Sequence, residues 1–392
     1  MTPLPRPIRP TAPRRFQIGS IFAGYAAAGI FWGTYIAALP ALKLISGVSD
    51  ARFGLLLIMT TLGGIISMQI LGRYLHRVQA VAIPFSLFGF ATGMVLMGLA
   101  QGPLTLGLAL FCAGAASGML DISLNMRTAR IEADFGLRLF NRVHALFPFS
   151  MLINSALVGW LRQLGATPAL IFPLAAIPLV VIGLIEWRAG AHQLPDQDRA
   201  QGTGRVRLRG VLIGLGALAA LGAVMEGGAS VWSAIFVETE LGGGPAIAGL
   251  CAAAITLGLT VGRLIAHQLE RRFRDMVIIR ASALLALPAF VILSVATSPP
   301  LALVGFFIAG VGVGPVEPAV FRSVSKRHPE ADRGRALALV TGLAYVGFLL
   351  SPPLMGSVIE TRGWGVMWLV MCLFSLAASA LTLWIGPAPK QG

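Results

Sequence analysis

Apolar residues along this chain gather into long runs separated by short polar joints, and the length of those runs decides the architecture. A helix needs about 20 residues to cross about 30 Å of hydrocarbon. Runs of that order fall at 16–40, 52–71, 80–100, 103–126, 141–164, 167–187, 210–237, 246–268, 276–296, 299–321, 334–359 and 364–386. The pattern predicts an all-α membrane protein with twelve transmembrane helices. The joints at 102–103 and 298–300 are so short that neighbouring runs nearly merge. Proline at both, and at Pro168, supports a break, because it cannot continue a preceding helix without losing a hydrogen bond.

Basic residues test the count. Of the 30 lysines and arginines, 26 fall in the tails or in joints that follow even-numbered spans, leaving Lys43, Arg52, Arg162 and Arg362 on the other side. An odd number of spans would scramble that alternation. The bias places both termini in the cytoplasm, since cytoplasmic joints carry the excess of Lys and Arg. The longest joint, 188–209, is polar and separates two six-span halves, 16–187 and 210–386. A basic, proline-rich arm at 1–15, expected to be disordered, and a tail at 387–392 complete the plan. The arm lacks the apolar core of a cleaved signal peptide.

Composition agrees with a bilayer environment. The chain is 56% hydrophobic and 12% charged, with a mean hydropathy of +0.81, too apolar for an ordinary soluble globule. Its net charge of +14 is dispersed rather than gathered on one face or tail, which argues against a nucleic-acid partner. Cys112, Cys251 and Cys372 lie in apolar runs at no metal-ligand spacing and read as small hydrophobes, so neither a metal nor a disulfide framework is predicted.

The halves resemble each other. Gly114, Gly118 and Asp121 recur as Gly310, Gly314 and Glu317 at identical spacing, each set followed by a basic joint. Gly72 and Arg73 recur as Gly262 and Arg263, each pair followed by a histidine, His76 or His267. Internal repeats of this kind are how secondary transporters build two bundles around a site near the midplane.

From Phe16 to Gly386 the sequence resembles the major facilitator superfamily, through this six-plus-six plan, the SDARFG segment at 49–54 and the GRYLHR segment at 72–77. The DISLNM segment at 121–126, followed by a loop and His144, is similar to a bacterial branch akin to fucose-permease-like transporters. The resemblance implies two pseudo-symmetric six-helix bundles, a bacterial cytoplasmic-membrane location, a monomer, and a central cavity lined by spans 1, 4, 7 and 10. It also implies a gating role for Gly72, Arg73, His76 and Arg77, although His76 stands where the family usually has aspartate. A histidine there cannot reproduce the contact of a carboxylate with a helix N-terminus.

Three acids lie well inside apolar runs: Asp121 on span 4, Glu226 on span 7 and Glu317 on span 10. An ionisable group in hydrocarbon costs roughly 2.5 to 3.5 kcal/mol on insertion scales, so it persists where it faces protein or water and serves a purpose. A desolvated carboxyl also holds its proton more tightly, which suits proton exchange. Asn125 shares a helical face with Asp121, and His144 begins span 5 at similar depth, so an Asp–His proton relay is expected. The structural alternative has Asp121 and Glu317 pairing with Arg127, Arg142 or Arg322 to hold a closed gate. Asn125 and the aromatics Trp32, Tyr35 and Trp232 are candidate solute contacts, suited to a sugar-like or small aromatic compound. Pro315 and Pro318 predict a kink around Glu317.

The expected function is secondary active transport of a small organic solute, coupled to protons and without a cofactor. No GxxxxGK[ST] loop is present for ATP hydrolysis, and no HExxH or nucleophile motif supports the alternative of an intramembrane enzyme. A transporter-derived sensor would append a soluble domain, for which 188–209 is too short.

Overall fold

A computed structural model describes residues 14–137, 139–188 and 210–386, with the backbone alone at 14, 71–80, 133, 140–141 and 330–331. Nearly all of the arm and the 188–209 joint, and the whole tail, fall outside this set. Among the described residues twelve segments are long and apolar enough to span a membrane. In chain order they are span 1 (Arg15–Ser46), span 2 (Asp50–Ile70), span 3 (Val81–Gly98), span 4 (Pro103–Glu132), span 5 (Arg142–Gln163) and span 6 (Pro168–Arg188). Then come span 7 (Gly210–Thr239), span 8 (Pro245–Leu269), span 9 (Asp275–Ser294), span 10 (Pro299–Arg327), span 11 (Asp332–Arg362) and span 12 (Trp364–Ile385). Spans 1, 4 and 10 run several residues beyond their apolar runs, because helix propensity carries the backbone past the hydrocarbon into polar surroundings.

The expected loop at 72–77 is helical backbone instead, within an element running from Asp50 to Gly98. The chain nevertheless reverses there. Gly107, Gly114 and Gly118 of span 4 face Leu56, Thr60 and Gly64, so spans 2 and 4 run parallel, whereas Gly89 and Gly93 of span 3 face Ala116 and Ala113 in the opposite sense.

The duplication is visible in the packing. Span 2 lies against span 4 and span 8 against span 10; span 1 lies against span 5 and span 7 against span 11; span 3 pairs with span 6 and span 9 with span 12. A methyl group added at Gly114 would stand 1.9 Å from the Thr60 carbonyl oxygen, and one at Gly310 would stand 2.4 Å from that of Ile255. Gly118 and Gly314 approach Gly64 and Leu259 equally closely. The repeated glycines therefore let helix backbones touch, the packing mode available where lipid supplies no hydrophobic drive.

The halves meet at the end of the molecule where span 1 finishes and span 2 begins. Span 5 crosses span 8 at Gly159 and Gly249, and Gly54 and Gly356 seat spans 2 and 11 together. Arg162 donates to Glu238 of the other half at 2.5 and 2.9 Å and to the Ala37 carbonyl at 2.9 Å. The Ala51 N–H donates to Glu360 at 2.9 Å, capping span 2 from across the seam. At the opposite end, which carries Arg127, Arg142 and Arg322 and is called the basic end below, the charges pair within halves. Arg127 bonds Glu186 at 2.7 Å, and Arg322 bonds Glu270 at 2.6 Å and Asp275 at 3.3 Å.

Candidate functional site

Four side chains from three spans of the first half form one hydrogen-bonded chain. Asp121 and Asn125 stand one turn apart on span 4, and Asn125 Nδ2 donates to Asp121 Oδ1 at 3.0 Å. The Asn125 carbonyl oxygen accepts from the Tyr25 hydroxyl of span 1 at 2.7 Å and lies 3.2 Å from His144 Nε2 of span 5. That oxygen can only accept, so the contact requires a proton on His144 Nε2. The Tyr25 oxygen is 3.4 Å from the same nitrogen, and the two rings meet edge-on at 4.9 Å. Tyr25 is buried while Asp121 and His144 are open. The predicted meeting of Asp121, Asn125 and His144 is therefore found, with Asn125 standing between the other two.

Tyr25 was not legible from sequence. A tyrosine among the alanines of span 1 looks like any apolar-run aromatic until the helices are assembled.

The second half presents a different arrangement. One guanidinium nitrogen of Arg263 on span 8, Nη2, donates to both Glu226 oxygens at 3.1 Å, while Nε donates to the Gly314 carbonyl at 3.1 Å. That carbonyl is available because its helical partner would be the nitrogen of Pro318, which has no hydrogen. Span 10 is broken there into Pro299–Val313 and Val316–Arg327, as Pro315 and Pro318 predict. Arg263 thus satisfies an orphaned backbone oxygen and neutralises an embedded acid at once.

Two expectations change. Arg263, counted with the joints, lies inside span 8 and reaches into the protein. Glu226, expected to exchange protons, is fixed in an ion pair. The signal for Arg263 was the surplus itself, since three embedded acids call for an embedded cation.

Glu317 is half-buried and has no hydrogen-bond or ion-pair partner among the described residues, while standing within electrostatic reach of Glu226 and Arg263. The alternative that Asp121 and Glu317 pair with Arg127, Arg142 or Arg322 is not found among the described residues: Arg127 and Arg322 are engaged by Glu186, Glu270 and Asp275, and no ion pair joins Arg142 to either acid. Tyr345 of span 11 connects the two arrangements. It feels the charges of both Asp121 and Glu317, and its hydroxyl lies 3.5 Å from Met68 Sδ of span 2. His144 in turn lies within electrostatic reach of Arg263. The polar groups of the two halves are therefore linked electrostatically through Tyr345 and Arg263.

The aromatic candidates divide. Trp32 is half-buried and lies seven residues, about 10 Å, along the Tyr25 face of span 1, away from the basic end. Tyr35 is buried against Phe31 and Trp32, at centroid distances of 6.1 and 5.5 Å. Trp232 is enclosed between Phe53 and Trp364 in the seam at the closed end, so it packs the seam and faces no cavity. Its place near Glu226 in sequence misled, because six residues carry it some 9 Å along the helix. Of Gly72, Arg73, His76 and Arg77 only the backbone is described, so their expected gating role lies outside the described residues. Among the described residues no three His, Cys, Asp or Glu side chains converge as a metal site.

The family profile described as Major Facilitator Superfamily matches residues 21–328 and again 214–392, the second match starting inside span 7. The uncharacterised transporter y4wD of Sinorhizobium fredii is 26% identical over 379 residues, covering 95% of this chain and 97% of that protein. A bacterial homologue of the human lysosomal transporter Spinster, solved inward-facing and unoccupied, gives a TM-score of 0.73 at 15% identity, over 97% of this chain and 98% of that one. A variant of the nucleoside transporter NupG gives 0.78 at 13%, over 94% and 99%. At these identities the solved structures speak for the fold, while the profile covers most of the chain. The chain belongs to the Major Facilitator Superfamily and is a membrane-embedded secondary transporter, not an enzyme.

Proposed function

We propose that this transporter moves a small organic solute through the space between its halves by alternating access, in exchange or symport with protons. The observation that carries the reading is a pair of embedded acids, one in each half and neither in an ion pair among the described residues: Asp121 within the hydrogen-bonded chain of Asn125, Tyr25 and His144, and Glu317, both within electrostatic reach of Tyr345. Asp121, His144 and Glu317 exchange protons as their surroundings alternate between dry and wet. Glu226 serves by holding Arg263, whose charge Glu317 senses. Asn125 and Trp32 contact the solute, and Gly72, Arg73, His76 and Arg77 act at the turn between spans 2 and 3.

The basic end is assigned to the cytoplasm of a bacterial inner membrane by the bias of Lys and Arg, with both termini on that side and the halves as domains 16–187 and 210–386. With the seam closed at the other end, the conformation described is inward-facing. The protein works as a monomer, since each half supplies its own part of the site. The sugar-like solute implied by the fucose-permease-like branch rests on the DISLNM and His144 resemblance alone.

A thermal-shift screen of the purified protein against sugars, organic acids and aromatic compounds identifies a solute, since a ligand stabilises according to its occupancy. Solute-driven proton movement is then followed with a pH dye in proteoliposomes. Asp121→Asn and Glu317→Gln are each expected to abolish it. Proton flux that survives in both variants would sink the coupling.

A further inference from the structure

Asn125 stands between Asp121 and His144, and an amide is no conduit for a proton: its nitrogen offers no lone pair and holds its hydrogens too tightly to pass them on. The amide can, however, turn end for end, and the hydrogen bonds around it suit two positions.

In the first position, the one described, the Asn125 carbonyl oxygen has both lone pairs filled, by the Tyr25 hydroxyl at 2.7 Å and by the Nε2 hydrogen of His144 at 3.2 Å. Nδ2 donates to Asp121 at 3.0 Å, which suits a carboxylate, since a carboxylate only accepts. Once Asp121 takes up a proton, its O–H needs an acceptor and meets a donor instead. Half a turn about the Cβ–Cγ bond of Asn125 exchanges oxygen and nitrogen at unchanged places, so the separations of 3.0, 2.7 and 3.2 Å stay within hydrogen-bond range. The oxygen then accepts from Asp121, and the two hydrogens of Nδ2 go to the Tyr25 oxygen and to Nε2 of His144. Nε2 must present its lone pair in this second position, so the ring hydrogen sits on Nδ1. A proton on Asp121 together with one on Nε2 would leave a donor facing a donor, whichever way the amide points.

Tyr25 fits both positions, because a hydroxyl donates in the first and accepts in the second. It is buried, and its ring meets that of His144 edge-on at 4.9 Å, so its oxygen keeps its place while Asp121 and His144 stay open to water.

We propose that Asn125 is a two-position amide switch, aimed by Tyr25, that links uptake of a proton at Asp121 to loss of the Nε2 proton at His144. The proton reaching Asp121 comes from water, and the one leaving Nε2 goes to water or re-enters the ring at Nδ1; none crosses the amide and no other bond changes. Tyr25 acts as a positioning residue. The inference deepens the proton-coupling reading and rests on it, with a linkage in place of a direct relay. The other titratable groups nearby are Arg263 of span 8, within electrostatic reach of His144 and paired with Glu226; Tyr345 of span 11, which feels Asp121 and Glu317; and Arg142, exposed at the head of span 5. Removing the Asn125 amide leaves all of their charges in place and isolates the switch.

The test uses the full-length protein in lipid nanodiscs without solute, labelled with nitrogen-15 histidine and titrated from pH 9 to pH 4. Of the five histidines, His144 is the one whose resonances vanish in His144→Gln. Protonation of Asp121 is followed by the infrared carboxyl band that Asp121→Asn lacks. As that band appears, the population of His144 with hydrogen on Nε2, relative to that without, should fall roughly 10-fold, the effect of a hydrogen bond to a charged group. Asn125→Leu keeps the shape without the amide and should make the ring indifferent to Asp121, and Tyr25→Phe, which removes a single oxygen, should weaken the linkage. Melting curves verify folding, and where Asn125→Leu does not fold, Tyr25→Phe decides. The proposal is overturned if Nε2 keeps its hydrogen while Asp121 takes up a proton, if no Asp121 carboxyl band appears down to pH 4, or if the deciding variant retains the full linkage. Solute-driven proton flux in proteoliposomes reads the coupling separately. Linkage without flux would end the coupling and leave the switch standing, whereas flux without linkage would do the reverse.

Discussion

Arg162 and Glu238 offer the sharpest test of how the closed end is held. Their side chains are 8% and 16% exposed, and they join span 5 of one half to span 7 of the other through contacts of 2.5 and 2.9 Å. Opening that end would place both groups in water. The pair therefore favours the closed state by its strength there relative to two hydrated charges. Glu238→Gln leaves Arg162 buried against the Ala37 carbonyl without a countercharge. Breaking a buried pair from one side costs about 3 to 5 kcal/mol, and the partial exposure of Glu238 puts this case near about 3 kcal/mol. The open-to-closed ratio should then rise roughly 100-fold. Replacing both, as Arg162→Met with Glu238→Leu, removes the charge and its desolvation together and should move the ratio far less. Spin labels at Leu44 and Glu240, exposed positions on opposite halves at that end, report the distance by pulsed electron resonance once the exposed Cys112 is replaced by serine. The single substitution should add a longer-distance population that the double substitution lacks. Equal opening in both, or none in the single variant, would refute the reasoning.

Two further outcomes follow from the packing and the charges. Gly114→Ala forces a methyl group to within 1.9 Å of the Thr60 carbonyl and should destabilise by about 1 to 3 kcal/mol or more, whereas Gly107→Ala, whose nearest neighbour would be a Leu56 methyl at 3.4 Å, should stay within about 0.5 kcal/mol; thermal unfolding in detergent compares them. Arg263→Gln strands Glu226 beside Glu317 and should lower thermal stability by about 1 to 3 kcal/mol near neutral pH, a moderate figure because the Arg263 side chain is 40% exposed. The deficit should shrink on acidification, as protonation removes the repulsion, and a constant deficit from pH 5 to pH 8 would contradict the assignment.

Features set by the bilayer were legible in the sequence. Span number, the break at Pro315 and Pro318, and the duplication follow from run length, proline chemistry and repeated glycines, each a local constraint. The site was legible only where its members share a helix face or a depth, as Asp121, Asn125 and His144 do. Tyr25 and Arg263 escaped for opposite reasons. Tyr25 sits 100 residues from its Asn125 partner, so only assembly reveals it, while Arg263 was counted as topology because it lies six residues from the end of span 8. Its long side chain climbs back into the protein, which a rule that counts positions cannot register. Trp232 erred the other way, being aromatic and near an acid in sequence but committed to the seam.

The crossing of spans 5 and 8 brings Gly159 and Gly249 so close that a methyl group on either would stand within 2.8 Å of the other's backbone. Two smooth helical rods touching without interlocked side chains make a bearing, which can turn through several degrees without forcing rotamers past one another. Friction along the rocking coordinate is then low, and the resting position is set at the rim, by contacts such as Arg162 with Glu238 that act as a detent. Such a machine is tuned at its edge: rim substitutions should change where it rests and leave the motion itself intact, while a single β-carbon at the crossing should stiffen the motion.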